Sequence, residues 1–177
     1  STFREISNNQ ILRNNGRGIF SDFGQYPHSI VGNTIEGNSL DGAYVVTNTV
    51  PPEDVEFGGN FIRNNGRDGI VSSGARFIEN EFTGNRYPIT VTGRLGNFYH
   101  DQNGDDENIF IDNTYNNALG IRHDVALSDT LSYDFPDSID SHTYVVIDGN
   151  PRVDDGTTLT IDPGVTVKFT TNRRLTV

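Results

Sequence analysis

The residues best suited to chemistry form an acidic run near the middle of the chain, between positions 101 and 112. Oxygen-bearing side chains recur at alternate positions of this run and again at its end: Asp101, Asn103, Asp105, Glu107 and Asp112. Ca²⁺ takes roughly six to eight oxygen ligands from carboxylates, amides and backbone carbonyls. The spacing therefore predicts a calcium site in which Glu107 supplies its backbone carbonyl.

This run resembles the calcium-binding loops of EF-hand and dockerin domains. It departs from them at Asp106, where those loops carry the glycine that makes a sharp turn, and no flanking helix is predicted. Asp112 at the last position is similar to dockerins rather than to EF-hands. A solvated acidic turn in an aspartate-rich chain explains the same residues, so both interpretations stay open. The sequence requires no cofactor, and calcium is the only one that it predicts.

Arginines and carboxylates elsewhere are candidates for binding sugars. Four arginines lie at related positions of two similar strings: Arg13, Arg17, Arg63 and Arg67. Guanidinium groups bind sugar carboxylates bidentately, but they also pair with Asp and Glu of a neighbouring repeat. Asp22 and Asp41 would form a carboxylate pair if their repeats stack, which is an arrangement that glycosidases use. The four histidines lack metal-ligand spacing, so no catalytic residue is assigned.

A repeated unit must position these residues. Its pattern is Asn-x-apolar-x-x-Asn-x-x-x-Gly-apolar, and a fifth, weaker copy begins at Asn113. The first four copies contain Asn9, Ile11, Asn14 and Gly18; Asn33, Ile35, Asn38 and Gly42; Asn60, Ile62, Asn65 and Gly69; and Asn80, Phe82 and Asn85, where Pro88 replaces the glycine. The first asparagines are 24, 27, 20 and 33 residues apart. Such irregular spacing is typical of a solenoid whose turns differ in loop length.

Short strands and corners follow from this pattern. Alternation places the apolar residue of each Asn-x-apolar string inside and its neighbours outside. Asparagine suits corners because it tolerates a left-handed backbone, and it can stack on the asparagine of the next coil as an amide ladder. No stretch shows helical periodicity. An antiparallel sandwich would explain the alternation but not the recurring asparagine and glycine positions.

The units resemble the parallel β-helix repeats of the pectate-lyase-like superfamily over about residues 6–122. A second string, at 156–169, is similar to one frequent in microbial surface β-helix proteins. The resemblance implies an all-β, right-handed parallel β-helix. It implies little about activity, because one solenoid hosts many functions.

Three regions are expected along the chain. Residues 1–123 hold the β-helix repeats, and residues 124–143 form an irregular excursion or linker. Residues 144–177 are rich in β-branched residues and supply further β-helix strands that continue or restart the solenoid.

Composition narrows the possible partners. The chain has 13 Lys and Arg against 24 Asp and Glu, for a formal net charge of −11. Nucleic acid is excluded as a general partner, because such binding depends on cations that neutralise phosphates. No apolar run is long enough to span a membrane. The acidic, lysine-poor composition favours an extracellular or cell-surface location.

The leading functional hypothesis is a structural or adhesive extracellular module. It either continues in a longer chain or self-associates head to tail into filaments. The alternative is a carbohydrate-active β-helix enzyme, namely a lyase, epimerase or hydrolase that acts on acidic polysaccharide. An enzyme would present a groove lined by arginines and carboxylates from neighbouring coils.

Overall fold

The computed structural model shows a chain built from β-strands and turns, with no helix among the residues that it describes. The described residues are 4–22, 28–46, 55–73, 75–92, 108–115, 117–122, 126–127, 132–135, 144–150, 152–153, 155–156, 158–161 and 166–177. All later statements concern these residues.

The first twelve strands repeat in threes, and each trio makes one coil. They are β1 (Arg4–Ser7), β2 (Gln10–Leu12) and β3 (Ile19–Asp22); β4 (His28–Val31), β5 (Thr34–Glu36) and β6 (Ala43–Val46); β7 (Val55–Gly58), β8 (Phe61–Arg63) and β9 (Ile70–Ser72); and β10 (Arg76–Ile78), β11 (Glu81–Thr83) and β12 (Ile89–Thr92). The later strands are β13 (Ile109–Ile111), β14 (Leu119–Arg122), β15 (Ala126–Leu127), β16 (Ser132–Phe135), β17 (Tyr144–Asp148), β18 (Arg152–Val153), β19 (Thr158–Ile161) and β20 (Thr166–Phe169).

Corresponding strands of successive coils pair in parallel and form three long sheets. The first sheet contains β1, β4, β7 and β10, and the second contains β2, β5, β8, β11 and β13. The third sheet runs furthest, through β3, β6, β9, β12, β14, β17 and β20. The predicted all-β parallel solenoid is therefore confirmed.

The core lies between the three sheets as columns of stacked apolar side chains. In the second sheet the column is in register from coil to coil: Ile11, Ile35, Ile62, Phe82 and Phe110. Ile35, Ile62 and Phe82 are fully buried, and the rings of Phe82 and Phe110 stack with centroids 5.3 Å apart. Since side chains alternate across each strand, a single apolar residue per short strand suffices to fill this narrow core.

A left-handed residue precedes each repeat asparagine and turns the chain at two corners of the coil. At the corner before the second sheet these residues are Asn8, Gly32, Gly59 and Glu79; at the corner after it they are Arg13, Gly37, Asn64, Gly84 and Asp112. Gly and Asn are suited to this backbone conformation, which other residues adopt at some cost. Each corner thus places the asparagine that follows it at the equivalent position of every coil.

The segment from 124 to 143, expected to be irregular, contains two short strands. β15 pairs in parallel with β18, and β16 pairs in parallel with β19. Within the third sheet, β14 also pairs with β17, and β17 with β20. The described strands therefore continue the parallel pairing on both sides of this segment, while the division into three regions stays a prediction.

The repeat glycines Gly18, Gly42 and Gly69 stack on one another and form a glycine column. This column lies where successive coils approach most closely. A Cβ built on Gly42 would lie 2.6 Å from the carbonyl oxygen of Gly69 and 2.8 Å from Nδ2 of Asn65. A Cβ on Gly18 would lie 2.6 Å from the carbonyl oxygen of Gly42. All three distances are shorter than any normal Cβ contact, so the repeat requires glycine here for close packing.

We expect Gly42→Ala to lower the free energy of unfolding by about 1–3 kcal/mol, because the added methyl group overpacks the contact between two coils. Chemical denaturation of both proteins measures this change. Gly16→Ala is the matched control, since a Cβ there meets no atom within 4 Å. Equal stabilities of the two variants would contradict a packing role for the glycine column.

Candidate functional site

The repeat asparagines join the coils through two continuous rows of hydrogen bonds. The first amide ladder runs through Asn9, Asn33, Asn60, Asn80 and Asn108. The second amide ladder runs through Asn14, Asn38, Asn65, Asn85 and Asn113. In both, the backbone N–H and the side-chain amide of one asparagine donate to Oδ1 of the next.

Asn65 shows that an inner rung has its backbone N–H and its whole side-chain amide bonded. Its backbone N–H and its Nδ2 donate to Oδ1 of Asn85 at 3.2 and 3.0 Å. Nδ2 also donates to the carbonyl of Ile35 at 3.2 Å. Its Oδ1 accepts from the backbone N–H and Nδ2 of Asn38 at 3.2 and 2.9 Å. Burial costs such an amide little, because no donor or acceptor is left without a partner.

The fifth copy begins one corner earlier than the sequence pattern indicated. Asn108, rather than Asn113, bonds Asn80 in the first ladder, and Asn113 bonds Asn85 in the second. The second ladder then ends within its own coil, because the backbone N–H and Nδ2 of Asn113 donate to Oδ1 of Asn117 at 3.0 and 2.9 Å. Asn117, whose φ is 55°, takes the place of an asparagine from a further coil.

Charged side chains form a row beside the third sheet, at the positions just before its strands. This polar row contains Arg17, Asp41, Asp68 and Arg86. Arg17 Nε lies 3.0 Å from Oδ2 of Asp41, whose side chain is 3% exposed. Oδ1 of Asp41 accepts a weak hydrogen bond from the backbone N–H of Asp68 at 3.4 Å. Asp41 and Asp68 directly precede the glycines of their repeats, so the stacking of coils brings the two carboxylates together.

Asp68 is the most buried charge of this polar row, with a fully buried side chain. Arg86 Nε lies 2.9 Å from its Oδ1, and Arg122 Nη2 lies 3.0 Å from its Oδ2. The Thr90 hydroxyl donates to Oδ2 at 2.7 Å. Burial raises the pKa of the Asp68 carboxyl, and the hydrogen bonds from Arg86 and Thr90 offset part of that rise.

Two tyrosines extend the polar row toward the fifth coil. The rings of Tyr87 and Tyr115 stack with centroids 4.9 Å apart, and the Arg86 guanidinium lies 5.2 Å from the Tyr87 centroid. Burial raises the pKa of Tyr87 to about 12, and the negative charge of Asp148 adds to the effect. The phenol therefore stays neutral at physiological pH and acts as a packing group.

The predicted calcium ligands fall mainly outside the described residues, namely Asp101, Asn103, Asp105 and Glu107. Asp112 is described: it is exposed and is the left-handed corner residue after β13, with a φ of 51°. Arg13, Gly37, Asn64 and Gly84 fill the same corner in earlier coils, so the repeat itself accounts for its position. Among the described residues, no group of three His, Asp or Glu is placed to hold a metal. Calcium binding stays a prediction from the sequence.

The predicted arginines do not line one face as a set. Arg17 pairs with Asp41, and Arg63 Nη2 lies 3.2 Å from Oε2 of Glu36 on the second sheet. Arg13 is an exposed corner residue, and Arg67 is exposed next to Asp68. Sequence reasoning missed the cluster of Asp68, Arg86 and Arg122. The signal that could have found Asp68 is its place directly before the repeat glycine, which it shares with Asp41.

Comparison with known proteins gives one match. A family model described as a right-handed β-helix region matches residues 1–104. No curated protein and no solved structure matches the chain significantly. No helix in the described part of the chain is long and apolar enough to cross a membrane.

We expect Asn65→Ala to lower the free energy of unfolding by about 2–3 kcal/mol, because it leaves Asn38 without its acceptor and Ile35 without a donor. Asn14→Ala removes only the exposed first rung of the same ladder and should cost about 1 kcal/mol or less. Denaturant titration of both variants measures the difference. Equal losses would show that the ladder does not couple the coils.

Asp68→Asn tests the pKa of the buried carboxyl. Because burial raises this pKa above the ordinary 3.8, the stabilisation from the protonated group is complete below pH 3.8 and is lost as pH rises through the folded-state pKa. The variant cannot ionise. The stability of the wild type relative to the variant should therefore fall with rising pH, by about 1.4 kcal/mol per unit of pKa difference.

Unfolding measured as a function of pH for both proteins checks this sign. Asp155→Asn, in an exposed turn, controls for the loss of one negative charge. An increase in the relative stability of the wild type with pH would mean that the arginines outweigh burial at Asp68.

Proposed function

Because the chain belongs to the family of right-handed β-helix regions, we propose that it is a structural or adhesive module of an extracellular or cell-surface protein. In this role the solenoid is a stiff rod that holds surfaces or further domains at a fixed separation. A net charge of −11 supports the extracellular location, since it keeps such a rod soluble and discourages random aggregation.

The observation that carries this proposal is the use of polar side chains between coils. The asparagines of both ladders bond to neighbouring coils and hold them in register. Arg17 and Asp41, like Arg86 and Asp68, are likewise bonded across coils. Side chains used in this way stiffen the rod.

The enzymatic alternative requires a base or carboxylate that is free to exchange protons with acidic polysaccharide. The buried carboxylates of the polar row, Asp41 and Asp68, are engaged by arginines instead. The described geometry therefore supports the structural role better. Release of unsaturated or reducing ends from polyuronates would contradict this choice.

The first described coil supports the further proposal that another coil stacks on it, either from a longer chain or from a second copy. Ile6 and Ile11 are only partly buried. Their register partners in the next coil, Ile30 and Ile35, are fully buried. A coil placed on β1 and β2 would remove the two half-exposed side chains from water, which favours association.

We expect the purified chain to form larger assemblies as its concentration rises, and more readily in salt, which screens the repulsion between acidic copies. Ile11→Glu should raise the protein concentration needed for assembly at least tenfold, because it places a charge in the stacked core. Light scattering after size-exclusion chromatography, with electron microscopy, measures this. Leu12→Glu is the matched control, since Leu12 is 42% exposed on the outer face of the same strand.

Assembly that is equally weakened by both variants would point to a general charge effect rather than to stacking of coils. A chain that stays monomeric at every concentration and salt level would contradict self-association and leave continuation in a longer chain as the remaining form of the proposal.

A further inference from the structure

The same string of residues, Arg-Asn-Asn-Gly-Arg, occurs at 13–17 and again at 63–67, but the fold places the two copies one residue out of phase. In the later copy the second asparagine, Asn65, is the rung of the second ladder. In the earlier copy the first asparagine, Asn14, is the rung, so Asn15 lies outside the ladder. Identical local chemistry is thus held in two different environments.

Asn15 is exposed and is held by few contacts. Among the described residues its side chain has only a weak hydrogen bond, in which the Ser39 hydroxyl donates to its Oδ1 at 3.5 Å. In each later coil up to the fifth, the N–H equivalent to that of Gly16 donates to the coil before it, as from Leu40 to the Gly16 carbonyl at 3.0 Å. No described coil precedes Gly16, and its own N–H donates to no acceptor in the described part of the chain.

The equivalent pair in the later copy, Asn65 and Gly66, has none of this freedom. Asn65 is 4% exposed, and its side-chain amide is bonded to both neighbouring coils. The Gly66 N–H donates to the carbonyl of Asn38 at 2.8 Å. A Cβ on Gly66 would collide with the carbonyl oxygen of Ser39, whereas a Cβ on Gly16 would meet no atom within 4 Å.

An asparagine followed by glycine can lose its side-chain amide without an enzyme. The glycine nitrogen gives its proton to hydroxide and attacks Cγ of the asparagine. The N–Cγ bond forms, the Cγ–Nδ2 bond breaks, and ammonia leaves. Water then opens the cyclic succinimide at either of its carbonyls and yields aspartate or isoaspartate, with no oxidation or reduction. The reaction requires a free backbone N–H, a free side-chain amide and a backbone that can bend, which glycine allows.

We propose that Asn15 is a site of this spontaneous modification in the folded protein and that Asn65 is not. The Gly16 nitrogen is the nucleophile, and the open edge of the first described coil leaves it free to attack. At Asn65 the ladder holds the leaving amide, while the hydrogen bond of Gly66 to Asn38 holds the nucleophile.

The product changes the edge of the first described coil. It adds a negative charge to a chain whose net charge is already −11, and isoaspartate also lengthens the main chain directly after Asn14. A coil that stacks on this edge would meet both changes, so the modification weakens stacking. This consequence rests on the proposed function, whereas the modification itself does not.

Peptide mass spectrometry of protein that has been incubated at neutral and mildly alkaline pH measures each site separately. In the folded protein we expect Asn15 to convert at least about 100-fold faster than Asn65, because Asn65 must first be released by local unfolding. The rate at Asn15 should rise with pH, since hydroxide takes the Gly16 proton. In strong denaturant the two rates should be equal. The third pair of this kind, Asn103–Gly104, lies outside the described residues, and its peptide is quantified on its own.

Equal rates at Asn15 and Asn65 in the folded protein would overturn the proposal, and so would the absence of conversion at Asn15. Gly16→Ala is the matched variant, because it keeps Asn15 and its Cβ meets no atom within 4 Å. We expect it to convert about tenfold more slowly, since the methyl group hinders attack by the nitrogen and restricts the backbone. An unchanged rate would overturn the role of the Gly16 nitrogen.

Anion exchange separates protein modified at Asn15, as verified by peptide mapping, from unmodified protein, and light scattering compares their assembly. The modified protein should need an at least about threefold higher concentration to assemble, because like charges then face each other across the edge. Equal assembly would overturn the effect on stacking and leave the modification standing. If neither protein assembles, the proposed self-association fails together with this effect, and the rates at Asn15 and Asn65 still decide the modification.

Discussion

The hydrogen bond from one asparagine to the asparagine of the next coil is the interaction on which the rest of this solenoid depends. Adjacent parallel strands lie about 4.8 Å apart, and a side-chain amide spans that distance while donating and accepting in the same direction. At Asn65 the backbone N–H and every donor and acceptor of the side-chain amide are used. A shift of one residue between coils would break both ladders and turn the core side chains toward water. The ladders thus fix the register that the apolar columns need.

This constraint acts on two corners only, which leaves the remaining connection of each coil free to vary. Successive rungs of the first ladder are separated by 24, 27, 20 and 28 residues. Most of the variation falls between a strand of the third sheet and the next strand of the first sheet, as between β6 and β7 or β9 and β10. The connection from the second sheet to the third also tolerates little change, because coils that are held this closely leave no room for a Cβ at Gly42.

The fold was predictable because its determinants recur in the sequence at matching positions. The start of the fifth coil was misplaced although the sequence contains it, because Asn108, Phe110 and Asn113 have the same spacing as Asn80, Phe82 and Asn85. The contact of Asp68 with Arg122 joins the third coil to the fifth across β12. No local pattern links them, because the lengths of the intervening connections decide which side chains meet on the outer face.

Stacking of coils by itself places charged side chains in rows. The ion pairs within most of these rows stabilise the stack of coils and have no further role. Arg17 and Asp41 are an example, since each satisfies the other. Asp68 is a second example, because Arg86 and Arg122 from the two following coils contact the same buried carboxylate. Because the side chain of Asp68 is fully buried, water cannot replace these contacts, and the pairing of coils and the pairing of charges depend on each other.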